Sequence, residues 1–329
     1  MTTLETPPTA RTPREIRANE MLRSIRGEYP FASHFHTLKA NPTTQAKKIE
    51  GLQLHYIDEG PRDAEVLLFL HGNPTWSFAW RRVLRRLSKR YRCIAIDHIG
   101  CGLSDKPEDY PYRLANHVEN AQSLVHELEL QRFTLVAHDW GGAIAMGLAR
   151  KLPSRVERIA LANTAAFPFA RIPWRIAACR IPVFGRLAVR GLNAFARAAT
   201  FMTVEKPLPP TVKRGYLLPY DGYANRVALS AFVEDIPMAK DHPSRSELES
   251  IAGSLQRFAD RPIRLLWGMR DWCFTPAFLD EWLRIWPNAE VHRFDKAGHY
   301  VFEDAAGEFE DQLEDFLESH PVLVPGHGR

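Results

Sequence analysis

Short apolar runs that alternate with helix-like stretches restrict the fold of this sequence more than any other feature. These runs are VLLFLHG (66–72), CIAIDHIG (93–100), FTLVAHD (133–139), RIALAN (158–163), IRLLWG (263–268) and AEVHRF (289–294). Between the middle runs lie predicted helices at 81–89, 116–128 and 142–151. Apolar strands separated by helices are typical of a mainly parallel sheet covered on both faces. The sequence therefore predicts an α/β protein with its site at the carboxyl ends of the strands.

The rest of the chain suggests three parts. We expect an N-terminal extension with a short helix (1–40), a core made of 41–163 and 237–329, and a helical cap inserted at 164–236. The helix of the extension should begin at the capping box Thr12-Pro13-Arg14-Glu15 and reach about Gly27. KIEGLQLHYIDEG (48–60) alternates like a two-stranded antiparallel start to the sheet. The cap is rich in Pro, Phe, Arg and Ala and has no predicted parallel strand.

Composition excludes several classes. The formal net charge of +4 is too small to indicate nucleic-acid binding. Four widely spaced cysteines without a CxxC pair favour reduced thiols in a cytoplasmic-type compartment over a disulfide framework or a zinc site. The first 23 residues contain no apolar h-region, and no apolar window reaches the roughly 18 residues of a membrane span. We therefore expect a cytoplasmic protein.

The stretch AHDWGG is predicted to form a sharp turn between a strand and a helix, with Asp139 at the turn. The small residues Ala137 and Gly141 permit the bend that raises the central side chain of a nucleophile elbow above the sheet. Serine is the commonest central residue, whereas this chain has an aspartate. The alternative is that Asp139 only caps the following helix, a role that aspartate fills well.

Features elsewhere in the chain favour a catalytic role for Asp139. Asp271 follows the penultimate predicted strand and His299 follows the last one, so nucleophile, acid and histidine occur in the order expected of such a site. The turn His71-Gly72-Asn73-Pro74 can direct a backbone N–H at the site, which with the N–H of Trp140 would form an oxyanion hole. Alternatively, Asp271 is a turn residue and His299 a surface histidine. We interpret His71 as a structural turn residue.

The motifs HGNPT, HDWGG, GLSDKP, WGMRD and AGHYVFED resemble those of the haloalkane dehalogenases, from about Lys47 to Leu317. The resemblance implies an α/β-hydrolase fold, with a mainly parallel eight-stranded sheet and a helical cap insertion. It also implies these roles: nucleophile Asp139, base His299, orienting acid Asp271, and halide-holding donors Asn73 and Trp140. The strand ending at Asn163 carries no carboxylate, so the site resembles that of the third dehalogenase subfamily. The predicted pocket residues are Phe167, Tyr216 and Tyr220.

The chemistry of a carboxylate nucleophile agrees with this assignment. Aspartate, with an ordinary pKa of about 3.9, is already ionised at neutral pH. It is suited to displacement at saturated carbon when donors such as the Trp140 indole and the Asn73 amide hold the leaving group. Water activated by His299 would then hydrolyse the alkyl-enzyme ester, while Asp271 fixes the imidazole tautomer. No metal or organic cofactor is implied.

Other functions stay open. NTAAFP (163–168), PWRIAACR (173–180), NAFARAA (193–199) and RFADRP (257–262) resemble the β-lactone decarboxylases of bacterial olefin biosynthesis, where Asp139 would attack the lactone ring and carbon dioxide and an alkene would be released. Epoxide hydrolases use cap tyrosines, for which Tyr216, Tyr220 and Tyr223 are candidates, but they usually carry an aromatic residue at the position of Asn73. We predict a haloalkane dehalogenase, with the decarboxylase as a near-equal alternative.

Two further alternatives are a metal site and a non-catalytic scaffold. A metal site built from His138, Asp139, Asp97 and His98 lacks the usual ligand spacing. A binding scaffold would not need Asp139, Asp271 and His299 together, so replacing Asp139 discriminates between an enzyme and a binding module.

Arginines are concentrated in the predicted cap. No Asp or Glu occurs between Arg158 and Val204, while arginines stand at 158, 171, 175, 180, 186, 190 and 197. RRVLRRLSKRYR (81–92) adds seven basic residues in twelve. The simpler interpretation is a solvated cationic face. The alternative is a peripheral contact with a membrane or an enzyme partner that admits a small hydrophobic substrate, a haloalkane or a long-chain β-lactone.

Overall fold

The computed structural model describes residues 12–39, 49–169, 172–181 and 187–322. Within them, eight strands form one sheet in the order β1-β2-β4-β3-β5-β6-β7-β8. The strands are β1 (His34–Thr37), β2 (Gln53–Glu59), β3 (Val66–Leu70), β4 (Arg92–Ile96), β5 (Phe133–His138), β6 (Val156–Ala162), β7 (Ile263–Gly268) and β8 (Glu290–Phe294). β2 is antiparallel to both of its neighbours, and all pairs from β4 to β8 are parallel. The predicted mainly parallel α/β sheet is confirmed.

Helices cover both faces of the sheet because its central strands are apolar on both sides. Leu68 and Leu70 of β3 belong to one buried cluster, and Leu67 and Phe69 belong to the other. The helices are α1 (Pro13–Met21), α2 (Arg81–Leu87), α3 (Leu114–Glu127), α4 (Trp140–Lys151), α5 (Trp174–Cys179), α6 (Ala194–Met202), α7 (Pro210–Leu217), α8 (Val227–Glu234), α9 (Arg245–Ser254), α10 (Pro276–Ile285), α11 (Val301–Asp304) and α12 (Glu308–Ser319). Each predicted helix of the core agrees with the structure within about two residues.

The N-terminal region differs from its prediction in two respects. The capping box at Thr12 and Glu15 is present, but α1 ends at Met21 and a 3₁₀ turn (Leu22–Ile25) follows. β2 pairs with β4 on one side and, on the other, with β1, which lies within the predicted extension, so the expected two-stranded start inside 48–60 is wrong. The sequence HFHT gives no strand signal because it is short and has no apolar run. The domain boundaries stay a prediction.

The predicted cap segment (164–236) lies between β6 and β7. Its described part holds α5 to α8 and a π-helical turn (Leu187–Gly191), with no strand among the described residues. Arg171 and Arg186 lie outside the described residues. None of the described helices has the length and apolar character that a bilayer crossing requires.

The basic stretch 81–92 packs against acidic residues rather than forming a cationic face. Arg81 forms an ion pair with buried Glu303, and Arg82 forms one with Glu310. Further ion pairs join Arg86 to Asp311 and Glu314, Arg90 to Glu318, and Arg92 to Asp58. Most of these carboxylates lie on α12, more than two hundred residues along the chain. Five of its seven basic side chains thus have acidic partners within the molecule, so the structure gives no support to the suggestion that this stretch adds to a membrane-facing surface.

Candidate active site

Asp139 occupies a strained turn between β5 and α4. Its backbone has φ 53° and ψ −130°, a conformation that residues other than glycine rarely adopt. Gly141 and Gly142 allow the turn, because a Cβ on either would collide with the Leu70 carbonyl or with Thr164. The side chain of Asp139 makes no capping hydrogen bond to α4. The helix-cap alternative is therefore wrong, and the turn has the shape of a nucleophile elbow.

Two backbone N–H groups point at the Asp139 carboxylate. The N–H of Asn73 donates to Asp139 Oδ1 at 2.7 Å, and the N–H of Trp140 also donates to this carboxylate. Gly72 brings the 71–74 turn this close, since a Cβ there would overlap the Asp139 side chain. The two donors lie where the sequence predicted an oxyanion hole, and they would stabilise negative charge on an acyl group of Asp139 itself.

His299 lies between two carboxylates in a buried setting. Its Nδ1 is 2.8 Å from Asp271 Oδ2, and its Nε2 is 3.7 Å from Asp139 Oδ2. The Phe274 ring stacks on the imidazole at a centroid distance of 5.7 Å. The structure thus brings Asp139, Asp271 and His299 together from three different strand ends. The gap at Nε2 is long enough for a reacting group to separate the histidine from Asp139.

The titration of these groups follows from their burial and their mutual charges. Burial raises the pKa of Asp139, although His299 and the two backbone N–H groups act against this rise. Burial lowers the pKa of His299, but the charges of Asp271 and Asp139 outweigh it, so the pKa of His299 lies above its ordinary value. The site therefore couples a buried carboxylate to a histidine that gains basicity from its neighbours.

Asn163 also belongs to this site by its contacts, although the sequence pattern alone does not indicate it. It follows β6, has φ 31°, and donates from Nδ2 to Asp271 Oδ2 at 2.9 Å. Its Oδ1 accepts from the Gly268 N–H at 2.8 Å, which fixes the amide relative to β7. Asp271 also accepts from the Cys273 N–H at 2.6 Å. A polar residue at the carboxyl end of a buried strand was the available signal, but the sequence analysis used it only to exclude a carboxylate.

An apolar cavity of about 270 Å³ lies above Asp139. Its walls include Asn73, Trp140, His299 and Phe167, together with many residues of α5 and α6. The Trp140 ring packs near the Phe232 ring, and one amide N–H of Asn73 donates to the Leu229 carbonyl at 3.1 Å. Asn73 therefore keeps one N–H for a bound group. Cavities of this kind are the usual small-molecule sites of enzymes.

The predicted pocket tyrosines lie elsewhere. Tyr216 is buried beside the core and donates to Glu303. The hydroxyl of Tyr220 donates to the Thr75 carbonyl at 3.2 Å, and Tyr223 is exposed beside Arg190. No tyrosine occurs among the described residues that line the cavity, so placing Tyr216 and Tyr220 in the pocket is wrong. Their hydroxyls hold the cap segment to the core, and none is available to protonate an epoxide.

Histidines near the site have structural roles. His71 Nδ1 bonds to the Gly72 carbonyl at 2.7 Å, and its Nε2 accepts from the His98 N–H at 3.0 Å, as expected of a structural turn residue. Asp97 lies 2.7 Å from His55 Nδ1 and accepts from the Ser77 and Leu103 N–H groups. His138 Nε2 lies 2.9 Å from the His299 carbonyl oxygen. Each side chain already has protein partners that a metal ion would have to displace.

The arginines between Arg158 and Val204 differ from one another. Arg158 and Arg190 are buried in ion pairs with Glu65 (2.7 Å) and Glu108 (2.6 Å), so neither belongs to a solvated cationic face. Arg175 and Arg197 are exposed. The uniform cationic face is therefore wrong for Arg158 and Arg190, because acidic partners distant in sequence neutralise them.

Comparisons with known proteins agree with this geometry. The sequence profile of the α/β hydrolase fold family matches residues 65–306. The cis-3-alkyl-4-alkyloxetan-2-one decarboxylase of Xanthomonas campestris pv. campestris is 42% identical over 83% of this chain and 94% of its own length. A haloalkane dehalogenase of Mycobacterium marinum is 32% identical over 87% of this chain and 93% of its own length. The solved haloalkane dehalogenase of Agrobacterium tumefaciens C58 superposes with a TM-score of 0.75 at 28% identity, covering 87% of this chain and 97% of that one.

Proposed function

The chain belongs to the α/β-hydrolase family, and on that premise we propose that it decarboxylates cis-3-alkyl-4-alkyloxetan-2-ones, the β-lactones that carry two alkyl chains. The observation that carries the proposal is an identity of 42% to a decarboxylase over 83% of this chain, against 32% to a dehalogenase over 87% of it. The comparisons support both activities, and the sequence analysis led with dehalogenation. The higher identity reverses that order.

The lactone reaction needs a carboxylate nucleophile and little else. Asp139 would attack C4, the saturated ring carbon that is bonded to the ring oxygen. The bond between C4 and the ring oxygen breaks, and the oxygen keeps the electron pair. This oxygen becomes part of a carboxylate, while the substrate is now an alkyl ester of Asp139. The bond between C3 and the carboxylate carbon then breaks, and carbon dioxide leaves. The electron pair of that bond forms the double bond between C3 and C4, and the Asp139 carboxylate is expelled from C4. Asp139 returns to its starting state, and no proton or water is consumed.

The stereochemistry of the two steps is consistent with a cis substrate. Displacement inverts the attacked carbon, and an anti elimination follows, so the two alkyl chains of a cis lactone end on the same side of the double bond. An apolar cavity suits this chemistry, because loss of carbon dioxide disperses charge and is favoured away from water. In this reaction His299 and Asp271 would serve to hold Asp139 and its charge in place.

Dehalogenation is the second candidate, favoured by the donors above Asp139. Trp140 and Asn73 both line the cavity, so the indole N–H and the remaining amide N–H are the donors that would hold a departing halide. Asp139 would displace the halide, and His299 would take a proton from water as the hydroxide attacks the ester carbonyl. The acyl C–O bond then breaks, and the departing alkoxide takes the proton from His299 and leaves as an alcohol. Asp139, regenerated as the carboxylic acid, then releases its proton and returns to the carboxylate. Neither reaction requires a metal or an organic cofactor.

One experiment tests both candidates. The purified protein is given a long-chain cis-β-lactone and 1-bromobutane in parallel, and alkene, carbon dioxide and bromide are measured. We expect fast release of alkene and carbon dioxide in equal amounts, with Asp139→Ala inactive. Rapid bromide release without alkene would replace the first candidate by the second. Inactivity of the wild type on both substrates would contradict both.

We also propose that the outer face of the cap contacts an anionic lipid surface. Trp174 (75%), Leu192 (69%) and Phe201 (62%) are large apolar side chains exposed to solvent, and Arg175 and Arg197 are exposed near them in sequence. Exposed tryptophan with arginine and no acid is typical of interfacial segments. Flotation with phosphatidylglycerol vesicles tests this: we expect binding that the double variant Trp174→Ser/Phe201→Ser loses. Equal flotation of wild type and variant, or none at all, would contradict it.

A further inference from the structure

The cavity carries opposite charges at its two ends. At the buried end lies Asp139, whose carboxylate repels a second anion. Arg175, on α5, lines the same cavity and is exposed to solvent, so it marks the open end. The described walls between these two residues are mainly apolar. A molecule that enters with a charged head would therefore keep a negative head at Arg175 and place an uncharged chain toward Asp139.

Two tryptophan rings hold Arg175 in place, and no acidic side chain among the described residues pairs with it. Its guanidinium lies 5.1 Å from the Trp272 ring and 5.5 Å from the Trp174 ring. Trp272 is itself fixed, since its indole N–H donates to the Met202 carbonyl at 2.7 Å. Stacking on tryptophan orients a guanidinium and leaves its N–H edge available for a carboxylate. Within the described residues Arg175 has no ion pair, whereas Arg190 on the same segment is engaged with Glu108.

The part of the cavity that would hold an alkyl chain is formed by the cap segment, which also carries Arg175. Ile176 and Cys179 of α5 and Phe195 and Met202 of α6 line the cavity. An alkyl chain placed among these side chains is removed from water, so each further buried methylene strengthens binding. Affinity would thus come from the chain, and the choice of head group would come from Arg175.

We propose that this cavity binds long-chain carboxylates, with the alkyl chain toward Asp139 and the carboxylate on the Arg175 guanidinium. Such a ligand presents no electrophilic carbon to Asp139, so it occupies the site without reacting and excludes substrate. The carboxylate formed when water opens a long-chain β-lactone belongs to this class. That link to the substrate rests on the proposed function, whereas the binding site itself does not.

Calorimetric titration with decanoate, below its micelle concentration, tests the site without measuring activity. Arg175→Gln should weaken decanoate binding about fivefold, the upper range for an exposed ion pair. Arg197→Gln is the matched control, because Arg197 is exposed on α6 but does not line the cavity. It should leave the affinity unchanged. 1-Decanol should bind the wild type and both variants equally, since it lacks the charge that Arg175 recognises.

The salt dependence gives a second readout. High ionic strength should weaken decanoate binding to the wild type and have little effect on Arg175→Gln. Equal decanoate affinity of the wild type and Arg175→Gln, or an equal loss in Arg197→Gln, would overturn the proposal. Because these measurements need no turnover, their failure is distinguishable from a failure to release alkene.

Discussion

The carboxyl edge of the sheet and the cap segment meet at one cavity, but they hold their side chains in different ways. At the sheet edge, Asp139, Asp271 and His299 are each fixed by backbone N–H groups or by another polar side chain within 3.7 Å. In the cap, Trp174 and Phe201 are apolar yet exposed. The sheet edge is therefore built to position charge, whereas the cap is built to present apolar surface on both its inner and outer sides.

This contrast separates two questions. In both proposed reactions the sheet edge decides which bond Asp139 attacks, and its geometry suits lactone opening and dehalogenation equally well. The molecule that reaches Asp139 is decided by the cap, through the walls of the cavity and through Arg175. Changes at the sheet edge should consequently affect rates on every substrate, and changes in the cap should affect the choice among substrates.

The largest expected effect is that of Asp139→Ala. Removing the nucleophile should lower kcat by at least about a thousandfold on any substrate, because both proposed reactions begin at this carboxylate. The fold should persist, since the Asp139 side chain caps no helix and the turn already accommodates a residue with a Cβ at φ 53°. Steady-state alkene and halide assays check the rate, and thermal unfolding checks the fold. Substantial residual turnover would show that the attacking group lies elsewhere.

His299→Gln should slow the two proposed reactions to different extents. Hydrolysis of an alkyl ester of Asp139 needs the base, so a bromoalkane should give one equivalent of bromide per active site and then a rate at least about a hundredfold lower. Alkene release from the lactone transfers no proton and should fall by less than about tenfold. Rapid-quench measurement of bromide beside steady-state alkene release checks this. Equal, large losses on both substrates would contradict the proton-free lactone mechanism.

Asn163→Gly should have an intermediate effect, about tenfold on ester hydrolysis. The amide donates to the same Asp271 oxygen that accepts from His299, so its removal leaves more negative charge beside the imidazole. The pKa of His299, already above its ordinary value, should rise further. Because the base acts in its neutral form, the acid limb of the pH–rate profile should move to higher pH.

Glycine is chosen for this test because Asn163 has a positive φ, which alanine would strain. Asn193→Gly is the matched control: Asn193 also has a positive φ and a buried side-chain amide, but it bonds to Tyr220 in the cap. The control should leave the pH–rate profile in place. A shift of the same size in both variants would mean that Asn163 has only a structural role.

The sequence predicted the sheet edge better than the cap for a physical reason. Strand ends are local: an apolar run, a turn and a polar residue within a few positions place Asp139, Asp271 and His299 at one edge before any packing is known. The prediction that Tyr216 and Tyr220 line the pocket was wrong because the direction of a helical side chain depends on what the helix packs against. Tyr216 turned toward Glu303, eighty-seven residues away, which no local pattern reveals.

The prediction of an exposed cationic face from the basic stretches fell short for a related reason. Charge patterning along the chain cannot detect an acidic partner on a distant helix, such as the one that α12 supplies to Arg82 and Arg86. The contribution of Asn163 was missed because a neutral amide becomes part of the site only when two strand ends adjoin. In each case the deciding contact is long-range.

The smallest effect we predict concerns the seam between the two regions, where His117 of α3 stacks on Phe232 of α8 at 4.5 Å. Neither ring nitrogen of His117 has a hydrogen-bond partner among the described residues. Burial lowers the pKa of His117 to about 3. As the pH falls below about 6.5, the unfolded chain binds a proton that the folded protein refuses, so stability is lost between about pH 6.5 and pH 3.

His117→Phe keeps a flat ring against Phe232 and removes both unpaired nitrogens. We expect it to raise the free energy of unfolding by about 1 kcal/mol at pH 7.5, since a buried polar group without a partner is unfavourable. The gain should be larger at pH 5, because the variant has no proton to bind at this position in the unfolded state. Urea unfolding at the two pH values measures both differences. An equal gain in the free energy of unfolding at pH 7.5 and pH 5 would mean that the His117 imidazole takes up a proton in the folded protein. Water would then reach the contact between α3 and α8.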